Sequence, residues 1–259
     1  MSIDIVDLRE FYISQLGRTV RKFLRHRLRC LWPSLGGEKI LAVGYAAPLL
    51  RPLLEEAERL LVMMPAEQGV AYWPKEGPNM ACLVSLQDLP LEDESVDRVI
   101  MLHSLETAPE PETLLHEVWR VLKGNGRVLV IVPNRRGLWA HCDSTPFGTG
   151  RPYSAPQLKE ALREQGFLVE RIQHSLFLPP LETRLVLLLS GVMEKTGYWL
   201  LPGFGGVLIA EASKQIYAPM LAKAHTGRNR IVFPLPFPVP SGSAPAGLSH
   251  ELGFHIFMR

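Results

Sequence analysis

The sequence predicts an α/β fold with a doubly wound, mainly parallel sheet, and three observations support the prediction. Short apolar runs of strand length alternate along the chain with stretches of helical periodicity. These runs are largely apolar, which is typical of strands buried on both faces of a parallel sheet. Hydrophobic residues make up 47% of the 259 residues, so the chain can bury a large core.

The first predicted element is one long helix over residues 5–31. Apolar residues recur there at helical spacing, and Pro33 with the pair Gly36–Gly37 ends the pattern. Residues 18–29 hold six basic residues and no acidic residue. This basic face is either solvated on a helix that packs over the domain, or it contacts a membrane surface or nucleic acid. We expect the first, because runs of like charge are usually solvated.

Seven strands are predicted after this helix. They are Lys39–Gly44, Arg59–Met64, Ala81–Ser85, Val96–Leu102, Gly126–Val132, Phe167–Ile172 and Val207–Ala212. Three helices are predicted between the strands, namely Leu49–Ala57, Pro111–Leu122 with Gly124 as its C-cap, and Gln157–Gln165 opened by the capping-box pattern at Ser154–Gln157.

Two further segments interrupt this alternation. Residues 175–204 are predicted to be an insertion with a helix around Leu185–Lys195. The loop Thr145–Ser154 follows the fifth strand, and open α/β sheets bind ligands at that carboxyl edge. We therefore expect this loop to lie beside a ligand site.

The end of the chain has a different composition. Proline accounts for 22 of 259 residues, about 8% against a usual level of roughly 5%, and Phe233–Pro240 alternates proline with apolar residues. Proline lacks the backbone donor of a helix or central strand, so a polyproline II arm is predicted. The arm either packs on its own domain, which its apolar residues favour, or fits a partner's groove. The predicted domains are residues 1–36 (basic helix), 37–213 (α/β domain) and 214–259 (arm).

Composition argues against several classes of protein. The net charge is only +2, and the basic segments 18–29 (+6) and 214–259 (+4) leave a body at −8, so nucleic acid and membrane partners are not expected. Three cysteines without CxxC spacing exclude a disulfide framework and a cysteine zinc site. The chain shows neither an export signal nor the roughly 20 apolar residues of a membrane span. We expect a soluble cytoplasmic protein without a metal site.

One stretch, Asp88–Asn134, carries a specific pattern of motifs. The pattern begins with Leu-Pro followed by acidic residues, continues through a buried strand, a His-x-Leu-Glu turn and a helix, and ends with a Val-Leu-Lys motif and a Pro-Asn pair. Its members are Leu89, Pro90, Asp97, His103, Leu105, Glu106, Pro109, Glu117, Val121, Leu122, Lys123, Gly126, Pro133 and Asn134. In this order the residues resemble class I S-adenosylmethionine-dependent methyltransferases of the type 11 group. The resemblance implies a Rossmann-like sheet of seven strands, the last antiparallel, and S-adenosylmethionine as cofactor.

The cofactor half of the family pattern is degenerate in this chain. The family's acid and glycine-rich turn after the first strand are replaced by Ala42 and Gly44-Tyr45-Ala46, and the acids that end its second and third strands are replaced by Met64 and Ser85. The positions that the resemblance assigns to the cofactor are Gly44, Tyr45, Ala46, Met63, Met64, Ser85, Leu86 and His103. Each lost charge-assisted hydrogen bond removes about 1.5–3 kcal/mol.

Two hypotheses about function follow from this degeneracy. The protein either transfers a methyl group to a small-molecule acceptor, binding the cofactor in a divergent way, or it is a pseudoenzyme that serves as an interaction or regulatory subunit. Methyl transfer needs in-line placement and, for a poor nucleophile, a base. The candidate catalytic residues are His103, His141 and Tyr153, and the alternative for each is a structural role.

Partners are suggested by both the resemblance and the sequence. Members of this branch with the same turn and loop are encoded beside a glyoxalase II-type hydrolase, so the resemblance suggests such a hydrolase as a partner. The surfaces available for a protein partner are the N-terminal helix and the proline-rich arm. A small-molecule substrate is also expected, and Tyr72 and Trp73 either line its pocket or cover a sheet edge.

Overall fold

A computed structural model describes residues 3–201 and 203–215. Its seven strands form one sheet in the order β3-β2-β1-β4-β5-β7-β6. The strands are β1 (Lys39–Gly44), β2 (Arg59–Pro65), β3 (Ala81–Val84), β4 (Val96–Leu102), β5 (Leu122–Pro133), β6 (Phe167–Ser175) and β7 (Val207–Lys214). β7 runs antiparallel to β5 and β6, whereas the pairs among β1 to β5 are parallel. The predicted seven-stranded sheet with an antiparallel last strand is confirmed.

Helices cover both faces of the sheet. They are α1 (Ile5–Ile13), α2 (Gln15–Leu31), α3 (Ala47–Leu50), α4 (Pro111–Val121), α5 (Ala155–Glu164) and α6 (Arg184–Leu200). The apolar sides of α1, α2 and α3 share one core with the sheet, and α4 and α5 share the other. The carboxyl edge of the sheet, where the sequence predicts a ligand site, therefore lies between two layers of packed helices.

The prediction of a single helix over residues 5–31 is wrong. Ser14 has extended backbone angles, ends α1 and caps α2, with its hydroxyl accepting from the Gly17 amide at 3.1 Å. The joint is tight, because a Cβ on Gly17 would lie 1.9 Å from the carbonyl oxygen of Phe11. Helical periodicity continues across this break, so spacing alone could not reveal it.

Two other helices differ from their predictions. The helix predicted over Leu49–Ala57 is only the four residues of α3 followed by a 3-10 turn at Arg51–Leu53, because Pro52 offers no backbone donor to continue it. Gly124 is not a C-cap, because β5 already begins at Leu122. By contrast, the predicted capping box at the start of α5 is confirmed.

Much of the basic face of α2 packs against the domain. Arg25 donates to the Pro48 carbonyl at 2.8 Å, and Arg29 pairs with Glu56. Arg27 lies 4.9 Å from the centre of a tyrosine ring on α6. These contacts agree with the solvated, domain-packed alternative for this helix.

The helix of the insertion, α6, has a largely exposed apolar surface. Leu188 and Trp199 are 82% and 85% exposed, whereas its acid Glu194 is buried and accepts from the Ser175 hydroxyl at 2.6 Å. None of the described helices is long and apolar enough to cross a membrane. The predicted proline-rich arm lies outside the described residues.

Candidate functional site

The candidate site lies at the carboxyl ends of β1 and β4. Gly44 ends β1 with φ of 81°, and a Cβ there would lie 2.3 Å from the carbonyl oxygen of Leu102. His103, the residue after β4, is fully buried and has φ of 54°. A positive φ costs a non-glycine residue about 1 kcal/mol, and strain of this kind concentrates at functional sites.

Helix α1 closes the site from above. The Tyr12 hydroxyl lies 2.9 Å from Nε2 of His103, and the Tyr12 ring lies 5.7 Å from that of Tyr45. The side-chain amide nitrogen of Gln68 donates to the His103 carbonyl at 3.0 Å, and the backbone carbonyl of Gln68 accepts from the Ile5 amide at 2.8 Å. Burial raises the pKa of Tyr12 well above its usual value, so this hydroxyl keeps its proton at neutral pH.

Beneath α1 lies a cluster of buried polar atoms that lack hydrogen bonds. The five atoms are Oε1 of Gln68, Nδ1 of His103, Oγ of Ser104 and both carboxylate oxygens of Glu106. Nδ1 of His103 lies 3.3 Å from Oε1 of Glu106, near enough for an ion pair but without hydrogen-bond geometry. Each buried polar atom without a partner costs about 1–3 kcal/mol, so this polar cluster is suited to a polar ligand.

The loop Thr145–Ser154 packs against the same cluster from another side. The Arg151 amide donates to the Glu106 carbonyl at 2.8 Å, and a Cβ on Gly150 would lie 2.5 Å from that oxygen. Burial and the nearby charge of Glu106 raise the pKa of Tyr153. Phe147 places its ring 4.8 Å from that of His103. The loop therefore packs against the candidate site, and its contact with a ligand stays a prediction.

The structure brings together some of the predicted cofactor residues. Gly44, Tyr45, Ala46 and His103 meet at the edge beneath α1. Met63 and Met64 are buried in opposite cores.

The third-strand end and one predicted catalytic residue lie apart from this group. Ser85 is exposed and accepts from the Gln87 amide at 3.3 Å, while Leu86 is buried in the second core. His141 contacts only the Gly137 carbonyl among described hydrogen bonds, with Nδ1 at 3.1 Å. The functional roles of all these residues stay predictions.

Sequence reasoning missed three residues of the site. They are Tyr12, Glu106 and Phe147. Glu106 had a signal, since it stands in the HxLE turn three residues after His103. Tyr12 and Phe147 had none, because only the tertiary packing of α1 and the loop brings them to the edge.

Two open clefts flank α1. The basic cleft, of about 690 Å³, is lined by residues that include Arg9, Arg21, Arg25, Arg51, Tyr72 and Trp73. The acidic cleft, of about 1090 Å³, is lined by the loop and by four acids, Asp7, Glu10, Asp143 and Glu182. Tyr72 and Trp73 thus line a cleft, as in the first of the two alternatives given for them. Both clefts have the size of small-molecule sites.

Comparison with known proteins identifies the relatives of this domain. Residues 42–130 match the family model described as a methyltransferase domain. A probable S-adenosylmethionine-dependent methyltransferase of Mycobacterium tuberculosis (strain H37Rv) is 30% identical over 128 residues, 48% of this chain and 45% of that protein. One from Mycolicibacterium smegmatis is 33% identical over 130 residues, 49% of each chain. The chain spans about half the length of these curated relatives.

Solved structures with the same fold are more distant in sequence. A methyltransferase complex with the Trm112 activator from Haloferax volcanii gives a TM-score of 0.60 at 18% identity, covering 83% of this chain and 100% of that chain. An S-adenosylmethionine-dependent methyltransferase from Thermotoga maritima gives 0.56 at 17% identity, covering 82% and 96%.

The sequence resemblance, the sheet topology and these comparisons agree. S-adenosylmethionine is the cofactor that they indicate for the family. At the β1 and β4 edge, Gly44 leaves room for close backbone approach and the polar cluster offers unused acceptors, whereas the three family acids are absent. Residues 42–130 match a methyltransferase domain, and about half of the chain is similar to probable S-adenosylmethionine-dependent methyltransferases.

Proposed function

We propose that this protein is an S-adenosylmethionine-dependent methyltransferase acting on a small-molecule acceptor, and that α1 closes its cofactor site in the conformation described. The observation that carries the proposal is the polar cluster. Five buried atoms without hydrogen bonds stand at the strand edge where the family pattern places the cofactor. When bound, the cofactor supplies an activated methyl group, so the protein needs mainly to position the two reactants.

The polar cluster compensates for the missing family acids. Ala42, Met64 and Ser85 replace those acids at the ends of three strands. Glu106 supplies a buried carboxylate one turn after β4, and Gln68 supplies an amide oxygen just after β2. We therefore assign cofactor contacts to Gly44, Gln68 and Glu106, with exposed Ser85 as a further hydrogen-bonding group.

Opening of the site requires α1 to move away from His103. Two hydrogen bonds hold the helix down, from Tyr12 to His103 and from Ile5 to Gln68. The break at Ser14 separates α1 from α2, so α1 can move without unpacking the longer helix. The acidic cleft beside α1 leaves space for that movement.

Movement of α1 also prepares the chemistry. It frees Nε2 of His103 from the Tyr12 hydroxyl, and a neutral imidazole nitrogen can accept a proton from the acceptor. Glu106 lies on the Nδ1 side of the ring, with Oε1 3.3 Å from that nitrogen. His103 is therefore the preferred base, Tyr153 beside Glu106 is a substrate contact, and His141 remains a predicted contact from the loop side.

Calorimetric titration of the full chain with S-adenosylmethionine and S-adenosylhomocysteine tests the proposal. We expect one saturable site for each ligand. Glu106→Gln should weaken both by about ten-fold, because it removes the buried charge. Glu112→Gln, a charge change in the first turn of α4, serves as control. Absence of heat at millimolar ligand, with the protein shown to be folded, would refute the proposal.

A second candidate function is a non-catalytic regulatory subunit, for instance of a glyoxalase II-type hydrolase. Closure of the site by Tyr12 and Tyr45, which are 3% and 7% exposed, favours this candidate. So does the absence of the three family acids. Co-purification from the native cell followed by mass spectrometry tests it. A stable complex together with no cofactor binding would support this candidate over the first, and cofactor binding by the purified chain would exclude it.

A further inference from the structure

The basic cleft brings four arginines from three elements to one cavity. Arg9 comes from α1, Arg21 and Arg25 lie one helical turn apart on α2, and Arg51 follows α3. Lys75 adds a fifth positive charge from the segment after β2. Because these residues are far apart in the sequence, the fold itself assembles this concentration of positive charge.

The positive charge of the cleft is poorly neutralised by the protein. Among the described residues of its lining, Glu76 is the one acid, and it lies 3.6 Å from Arg51 on the surface. Among the described residues no carboxylate pairs with Arg9 or Arg21, and Arg25 uses its Nε on a backbone carbonyl. Burial, followed by the charges of Arg21 and Arg51, lowers the pKa of Arg25. Such like charges repel one another, and a bound anion would relieve that repulsion.

The remaining walls of the cleft are aromatic. Tyr45, Tyr72 and Trp73 line it together with apolar residues. The Tyr72 hydroxyl donates to the Gly77 carbonyl at 2.6 Å, which holds this otherwise exposed ring in place. Aromatic faces stack on flat rings, and guanidinium groups bind phosphate and carboxylate oxygens. The arginines and the aromatic rings together favour a ligand that carries both an anionic group and a flat ring.

We propose that the basic cleft binds a small anionic molecule that joins a phosphate or carboxylate group to a flat ring. The site is separate from the proposed cofactor site. Its arginines contact none of the polar cluster, and Tyr12 stands between them, lining the cleft while its hydroxyl meets His103. The proposal therefore does not depend on methyl transfer and extends beyond it.

Calorimetry on the full chain tests the proposal with three probes, namely pyrophosphate, adenosine and ADP. We expect ADP to bind at least ten-fold more tightly than pyrophosphate, and adenosine to bind more weakly than either. Arg21→Ala should weaken ADP by about ten-fold or more, since it removes a charge-assisted contact. Lys22→Ala is the matched control, because it removes the same charge from the neighbouring exposed position on α2, outside the cleft. It should change the affinity less than two-fold.

Three results would overturn the proposal. They are no binding of either anion at millimolar concentration by the folded protein, equal weakening by Arg21→Ala and Lys22→Ala, and equal affinity for ADP and pyrophosphate. Competition with S-adenosylhomocysteine separates the two sites. We expect ADP and S-adenosylhomocysteine to bind simultaneously. Mutual displacement would mean that the cleft is part of the cofactor site, and it would overturn the proposal of a separate site. Failure of S-adenosylhomocysteine to bind would leave the ADP result standing.

Discussion

Substitution of Tyr12 by phenylalanine weakens the contact that holds α1 over the site. The hydroxyl lies 2.9 Å from Nε2 of His103, and both residues are buried, at 3% and 0% exposure. Phenylalanine keeps the ring packing with Phe11 and Tyr45 but leaves Nε2 without its partner. A buried group deprived of its hydrogen bond costs about 1–3 kcal/mol. We expect Tyr12→Phe to lower the free energy of unfolding by about 1–2 kcal/mol.

The same change should strengthen cofactor binding. If α1 must lift before the cofactor enters, the apparent dissociation constant is the intrinsic constant divided by the fraction of open molecules. A loss of about 1.4 kcal/mol from the closed state raises a small open fraction about ten-fold. Tyr12→Phe should therefore bind S-adenosylhomocysteine up to about ten-fold more tightly while being less stable. A loss of stability together with a gain in affinity is the result expected if α1 closes the site.

Urea denaturation and calorimetry measure the two quantities on the same preparation. Tyr198→Phe is the control, because it removes a hydroxyl from an exposed tyrosine of α6 that makes no described hydrogen bond. It should change neither quantity by a measurable amount. An affinity that falls with stability, or stays unchanged after a clear loss of stability, would refute the idea that α1 closes the site.

Three further predictions concern backbone strain and buried charge. Gly44→Ala should lower the free energy of unfolding by over 2 kcal/mol in denaturation experiments, because the added methyl group would lie 2.3 Å from a carbonyl oxygen. The control Gly37→Ala should lower it by about 1 kcal/mol, because Gly37 has φ of 75° but no atom within 4 Å of an added Cβ. Equal losses would contradict the close approach at Gly44. Glu106→Gln should raise the free energy of unfolding by about 1 kcal/mol by removing a buried carboxyl group without hydrogen-bond partners, and a loss would argue against that burial cost. Hydrogen bonding from Arg120 lowers the pKa of Glu117, so its stabilisation is complete above the ordinary carboxyl pKa and is lost as pH falls below it; Glu117→Gln should flatten this acid loss in denaturation curves measured from pH 7 to pH 3, and an unaltered slope would contradict it.

Most of the sheet could be predicted from the sequence, because its strands are short apolar runs with clear ends. Lys39–Gly44 was predicted to the residue, and the capping box at Ser154 fixed the start of α5. The helix ends were less predictable. The break at Ser14 interrupts a continuous apolar stripe, and Leu122 leaves the helical conformation for β5 although its neighbours suit a helix.

The site was predicted in part. Gly44 and His103 were identified through the family resemblance, which places them after the first and fourth strands, and strand ends meet at one edge of a parallel sheet. The closing residue Tyr12 lies 91 positions before His103, and nothing in the local pattern of either residue indicates that they touch. The basic cleft could not be predicted from the sequence either, because its arginines come from separate elements and only the packing of α1 and α2 brings them together.

Hydrogen exchange with and without S-adenosylhomocysteine tests the central claim most directly. The account predicts that saturating ligand slows exchange in residues 102–106, where the polar cluster follows β4, and alters exchange in α1, which must move to admit the ligand. Unchanged exchange in both segments at millimolar ligand, with the protein folded, would contradict it.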